Sequence, residues 1–93
     1  MPTEYDLDLG DSHWIRWSEY EGKRCGGIIT HTTTKTETGL CDGAFWIAPI
    51  PEAFGKRPSW TMTGTFECPT LSPSFLCHCG DHGFVRNGRW VRV

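Results

Sequence analysis

Long hydrophobic segments are absent from this 93-residue chain. No stretch approaches the roughly 20 apolar residues that a membrane-spanning helix requires. The first eleven residues carry Glu4, Asp6, Asp8 and Asp11 and have no apolar core, so we do not expect a secretory signal peptide. The sequence therefore predicts a protein of a reducing, aqueous compartment, where cysteines serve as metal ligands or core residues more often than as disulfides.

An excess of basic residues and a helical hydrophobic period are lacking as well. The net charge is -2, far from the basic footprint of a dedicated DNA-binding domain. Aliphatic residues are few: the apolar fraction is 38%, while aromatic residues reach 13%. A small core built from a few large rings is the expected result. Domains of this size often need a metal, a disulfide or a partner for stability.

Short runs of β-forming residues are what the chain does contain. Trp60, Met62 and Phe66 alternate with polar residues, and Asn87-Gly88 between two such runs is the strongest short hairpin signal. The prolines of residues 68–74 argue against a central strand there. Strands are predicted at 13–17, 43–48, 59–66 and on both sides of Asn87-Gly88, with a helical turn at 52–55 and an exposed hairpin or edge at 32–38.

These patterns predict an all-β fold of about six or seven short strands. Residues 13–93 form a single β-rich domain, and residues 1–12 form an extended N-terminal arm, either disordered or docked on another surface. Because small domains often recruit a metal for stability, the predicted fold includes the Cys/His metal site described next.

The densest group of potential metal ligands is Cys77-His78-Cys79-Gly80-Asp81-His82. Zinc binds thiolate and imidazole in a tetrahedron, commonly from two chain segments. We predict a structural Zn²⁺ held by Cys77, Cys79 and His82. Its distant ligand is Cys25 in the first place, then Cys41, then Cys68. His13 and His31 are interpreted as ordinary surface or half-buried histidines.

Two other interpretations of the cysteines stay open at this point. They can be reduced, buried side chains, or Cys77 or Cys79 can form a disulfide with Cys25. A cysteine nucleophile with His82 as base is a further alternative. Because thiols and imidazoles crowd one tight loop, metal binding is favoured over catalysis, and the chain is predicted not to be an enzyme.

Tryptophan and arginine recur together near both ends of the chain. These two residue types are enriched at interaction hot spots. Trp46 and Trp60 are expected in the core. The predicted partner-binding residues are Trp14, Arg16, Trp17, Arg89 and Trp90.

The C-terminal half resembles a family of small phage and bacterial proteins. The shared features are a Trp-x-x-x-Gly stretch at Trp60–Gly64, then P-T-L-S-P-S at 69–74, then H-x-F-[IV]-x-x-G at 82–88, and together they cover about residues 41–90. Some members carry the label "ammonia monooxygenase", although this chain has no membrane segment and no histidine-rich copper site. The resemblance implies a phage or prophage origin and a Cys/His metal site that includes His82.

The function predicted from these observations is a non-enzymatic phage structural or interaction protein, of the kind found as minor capsid or decoration proteins. Its partner would be a capsid or other virion protein, and its location the virion or the host cytoplasm. One alternative is a protein that binds nucleic acid or a host factor during infection. The other is a zinc-dependent hydrolase with an open metal position.

Overall fold

The computed structural model describes residues 5–93, which fold into eight antiparallel strands arranged as two four-stranded sheets. The predicted all-β class is confirmed, and this part of the chain contains eight strands rather than six or seven. The strands are β1 (Leu7–Gly10), β2 (His13–Tyr20), β3 (Lys23–Thr32), β4 (Leu40–Trp46), β5 (Thr61–Gly64), β6 (Pro69–Leu76), β7 (His82–Arg86) and β8 (Arg89–Arg92). The predicted helical turn is a 3₁₀ helix, Glu52–Phe54.

The first sheet has the order β1-β2-β3-β4. In β2, Ile15 and Trp17 face the core while Arg16 is exposed, because side chains alternate along a strand. Strand β1 pairs with β2, and Leu9 is 1% exposed in the core. The part of the predicted arm from Leu7 to Gly10 is therefore a strand of this sheet, and the first four residues lie outside the described range.

The second sheet has the order β5-β6-β7-β8. Asn87 and Gly88 join β7 to β8 with φ of 50° and 73°, as the hairpin prediction required. The expectation that residues 68–74 avoid a central strand is wrong, since β6 lies between β5 and β7. Pro69 begins this strand, and Pro73 lies where the register with β7 shifts between Leu71 and Phe75. Prolines are tolerated at these positions because they do not interrupt a continuous ladder.

The two sheets share one core. Trp17 and Phe45 meet edge to face, as do Phe45 and Phe75 of the second sheet, so aromatic rings link the two sheets. Rings do not dominate the core as expected, since five of the eight residues in the buried cluster are aliphatic. The buried cluster comprises Leu9, Ile15, Trp17, Ile29, Phe45, Leu71, Val85 and Trp90. Sequence reasoning reversed the ranking of the tryptophans: Trp14, Trp17 and Trp90 are buried, whereas Trp46 and Trp60 are only half-buried.

Candidate active site and metal centre

The hairpin of β6 and β7 carries two sets of reactive side chains: the cysteines of its connecting turn, and a serine and a histidine on its two strands. Its connecting turn, residues 77–81, closes through hydrogen bonds from the amide of Cys77 to the carbonyl of Asp81 (2.8 Å) and from the amide of Gly80 to the carbonyl of Cys77 (2.9 Å). Gly80 has a φ of 99°, which a residue with a Cβ rarely adopts. The turn therefore presents Cys77 and Cys79 in fixed positions, with β6 before them and β7 after them.

Four side chains form a cluster between this turn and the first sheet. His31 on β3 lies directly opposite Cys41 on β4, and both are buried. Cys77 and Cys79 join them from the turn, and the four ligand atoms lie within 4.8 Å of one another. One imidazole and three thiols are a donor set that could bind a metal ion.

The distances within the cluster suit ligands of one ion. The Sγ atoms of Cys41 and Cys77 are 3.1 Å apart, and Cys79 Sγ is 3.6 Å from His31 Nε2. A disulfide would bring two sulfurs to about 2.05 Å. Ligands about 2.0–2.3 Å from a tetrahedral zinc lie about 3.5–3.8 Å apart. Small side-chain adjustments would bring the four atoms to that geometry.

The pKa values of two of the thiols are shifted in opposite directions. A hydrogen bond with Cys77, reinforced by burial, raises the pKa of the Cys41 thiol to about 12. A backbone hydrogen bond from Asp81 lowers the pKa of the Cys79 thiol. Close thiols cannot all ionise without a compensating positive charge. A bound cation would supply that charge by displacing the remaining protons.

The predicted metal ligands separate into two groups. Cys41, Cys77 and Cys79 lie together in the cluster. The fourth member is His31, which was not predicted from the sequence. Cys25 lies elsewhere on β3, where its Sγ is 3.8 Å from the carbonyl of Ser18. His82 also lies outside the cluster. The missed signal was the β3–β4 register, which places His31 opposite Cys41 and cannot be derived from ligand spacing alone.

A second layer of contacts orients the cluster. His31 Nδ1 donates to the carbonyl of Thr32 (3.0 Å), so in the neutral imidazole Nε2 carries no proton and can act as a ligand. The Asp81 carboxylate is 2.6 Å from His13 Nε2 and 3.9 Å from His31 Nδ1. His13 is buried and stacks on Trp90, with ring centroids 4.0 Å apart. The expectation that His13 and His31 are surface or half-buried is wrong, because both lie between the sheets.

Replacement of Asp81 by asparagine should weaken metal binding without removing a cluster residue. The substitution keeps the shape of the side chain but removes the negative charge that lies beside His13 and His31. Loss of such supporting contacts typically lowers metal affinity by about 10- to 100-fold. Competition with a chromophoric chelator measures this change. Asp42→Asn, an exposed residue next to Cys41, is the matched control; equal affinity in both variants would contradict the assignment.

Ser74 and His82 form the second set of reactive side chains. His82 Nε2 is 2.9 Å from Ser74 Oγ, and both side chains are half-buried. Leu76 on β6 lies opposite His82, and Ser74 precedes Leu76 by two residues, so Ser74 and His82 are diagonal neighbours on one sheet face. Neither ladder of β6 pairs Ser74 with a residue: the ladder with β5 ends at Ser72, and the ladder with β7 shifts register between Leu71 and Phe75. Within residues 5–93, this is the serine hydroxyl that contacts a histidine ring.

A hydroxyl within hydrogen-bond reach of an imidazole is the arrangement of an activated nucleophile. Sequence reasoning considered a cysteine nucleophile with His82 and overlooked serine. The available signal was the placement of Ser74 and His82 on either side of one short turn. If β6 is a strand, such a turn places the two side chains on neighbouring strands.

Comparison with protein families identifies the class. A family model described as "Bacterial ubiquitination-like system serine protease (BubE)" matches residues 28–93, a span that includes Ser74, His82 and the four-residue cluster. The chain belongs to this BubE family. No curated protein and no solved structure matches it.

Membership in this family corrects the functional interpretation. The prediction that the chain is not an enzyme is wrong, since the family is one of serine proteases. The resemblance to a small bacterial family agrees with the match, whereas the phage origin and the capsid, nucleic-acid and host-factor partners stay predictions. The part of the chain that the structure describes contains no helix with the length and hydropathy needed for a bilayer crossing.

The predicted partner-binding residues are distributed over both sheets. Trp14, Trp17 and Trp90 are buried, while Arg16 and Arg89 are exposed. Their role in partner binding also stays a prediction, and the folded domain offers the two arginines rather than the three rings to an incoming molecule.

Proposed function

We propose that this chain is a serine peptidase in which Ser74 is the nucleophile and His82 is the general base. The hydrogen bond of 2.9 Å between His82 Nε2 and Ser74 Oγ carries the proposal. The family description supports the proposal independently, because it describes a serine protease and the matched residues include Ser74 and His82. The fold contributes rigidity, since the two side chains project from neighbouring strands rather than from loops.

The reaction follows from the positions of the two atoms. His82 Nε2 accepts the proton of Ser74 as Oγ attacks the carbonyl carbon of a peptide bond. The same proton passes to the departing amine when the C–N bond breaks, which leaves an ester on Ser74. A water molecule then attacks the ester, His82 accepts one of its protons, and this proton returns to Ser74 Oγ as the carboxylate product leaves. His82 therefore acts as base and acid in turn.

We assign a structural zinc to the cluster of His31, Cys41, Cys77 and Cys79. These four protein ligands would fill the coordination of a tetrahedral zinc and would leave no position for a water molecule, which argues against the zinc-hydrolase alternative. Zinc there would supply stability only. It would join the turn between Ser74 and His82 to the first sheet, because two ligands come from the turn and two from β3 and β4.

The substrate we propose is a ubiquitin-like protein, either extended by a C-terminal segment or joined to another protein. The family description places its members in a ubiquitination-like system, where such bonds have to be cut. The nucleophile lies on an open sheet face, which an extended segment of a folded protein can reach more readily than a buried cavity.

Cleavage of such a protein tests the proposed function. We expect the purified chain to release the C-terminal segment from a ubiquitin-like fusion protein, with the new terminus identified by mass spectrometry. Prior treatment with a fluorophosphonate, which esterifies activated serines, should abolish the release. Cleavage that persists after complete fluorophosphonate treatment would contradict a serine mechanism.

A further inference from the structure

The face of the second sheet that carries Ser74 and His82 also carries exposed apolar side chains. Leu76 is 71% exposed, lies opposite His82 and shares its face with Ser74. Phe84 follows His82 by two residues on the same face and is half-buried. One exposed and one half-buried large apolar side chain beside a reactive pair are typical of a binding surface.

Positive charge lies at one end of this face, where Arg86 on β7 pairs with Arg89 on β8. The guanidinium of Arg86 lies over the ring of Phe84, 4.2 Å from its centroid, and Arg86 is exposed. This cation–π contact orders the charge on the same face as Phe84. The strands β6, β7 and β8 contain no acidic residue that could neutralise it. Arg86 is therefore available to a carboxylate from another molecule.

We infer that the site prefers an extended peptide with an apolar residue beside the cleaved bond and an acidic residue about four positions away. This inference rests on the proposed function and adds its substrate class. Leu76 and Phe84 would contact the apolar side chain, since both neighbour the reactive pair. Arg86 lies four residues beyond His82, about 13 Å along a strand, which is the span of four residues of extended peptide.

Peptide binding to the full chain carrying Ser74→Ala tests this preference without cleavage. Three fluorescein-labelled decapeptides share a central leucine. One has aspartate four positions before it, one has aspartate four positions after it, and one has lysine at both places. At low salt, fluorescence anisotropy should show one aspartate peptide binding about five- to tenfold more tightly than the lysine peptide. Equal affinity for all three peptides would overturn the inference.

Two substitutions identify the contacts. Arg86→Glu should remove or reverse the preference, whereas Lys56→Glu, an equal charge change on an exposed loop, should leave it unchanged. Leu76→Ser should lower the binding affinity for all three peptides. Leu40→Ser, at an exposed position of the first sheet, should leave the affinity for all three unchanged. An unchanged preference in a folded Arg86→Glu protein would also overturn the inference.

The result of the peptide-binding test can be distinguished from the result of the cleavage test of the proposed function. Binding is measured without the nucleophile, so the charge preference can be absent while wild-type protein still cleaves its substrate. Conversely, a clear preference combined with no cleavage by wild-type protein would contradict the peptidase assignment and leave the binding surface intact.

Discussion

Replacement of Ser74 by alanine is expected to abolish cleavage while the domain stays folded. The substitution removes the Oγ atom that attacks the carbonyl, and water has to replace it. Loss of the nucleophile in serine proteases costs on the order of 10³- to 10⁶-fold in kcat. Ser74 is half-buried and its hydroxyl bonds only to His82 among the described residues, so little stability should be lost. Steady-state cleavage and thermal unfolding of the same preparations measure both effects.

Ser72→Ala provides the matched control for this substitution. Ser72 belongs to the same strand and the same P-T-L-S-P-S segment, but it is exposed, and no histidine contacts its hydroxyl within residues 5–93. Its replacement should change kcat by less than about threefold, an ordinary surface effect. If the two variants lost activity equally, or if Ser74→Ala retained wild-type cleavage, Ser74 would not be the nucleophile.

Replacement of Cys79 by serine is expected to remove the metal and unfold the domain. Structural zinc contributes on the order of 10 kcal/mol to the folding of small metal-binding domains. Small domains are stable by only about 5–15 kcal/mol in total. Loss of one of four ligands should therefore leave the chain largely unfolded. Metal analysis should give about one zinc per wild-type chain and almost none for Cys79→Ser, and circular dichroism should show loss of the β spectrum.

Two further cysteines distinguish this ligand set from the one predicted from sequence. Cys25→Ser should retain metal and fold, because Cys25 lies away from the cluster, and the exposed Cys68→Ser should do the same. Cys41→Ser should behave like Cys79→Ser. Metal loss in Cys25→Ser together with retention in Cys41→Ser would restore the ligand set predicted from sequence and contradict the geometry.

Local patterns predicted the parts of the fold that depend on neighbouring residues. Asn87-Gly88 identified its hairpin because both turn positions require positive φ, which few residue pairs tolerate. The β-forming residues at 13–17 identified β2, but Trp17 was expected at an interaction surface and instead lies in the core. Strand β6 was missed because proline argues locally against a central strand, whereas a register shift beside Pro73 accommodates it.

The site depended on pairings that a single sequence does not reveal. Cys77 and Cys79 were recognisable from their spacing, but His31 reaches them only because β3 pairs with β4 and the two sheets pack together. His82 was identified as important and given the wrong neighbours, since its proximity to two cysteines in sequence suggested a shared ion. The strand pairing of β6 with β7 turns its ring toward Ser74 instead.

Identification of the residue that a fluorophosphonate modifies tests the central claim most directly. Wild-type protein is incubated with the reagent, digested, and sequenced by tandem mass spectrometry, with His82→Gln as a parallel sample. A single adduct on Ser74, formed rapidly in wild-type protein and slowly or not at all in His82→Gln, is the predicted result. An adduct on another serine, or no adduct on folded wild-type protein, would contradict the assignment of Ser74 and His82 as nucleophile and base.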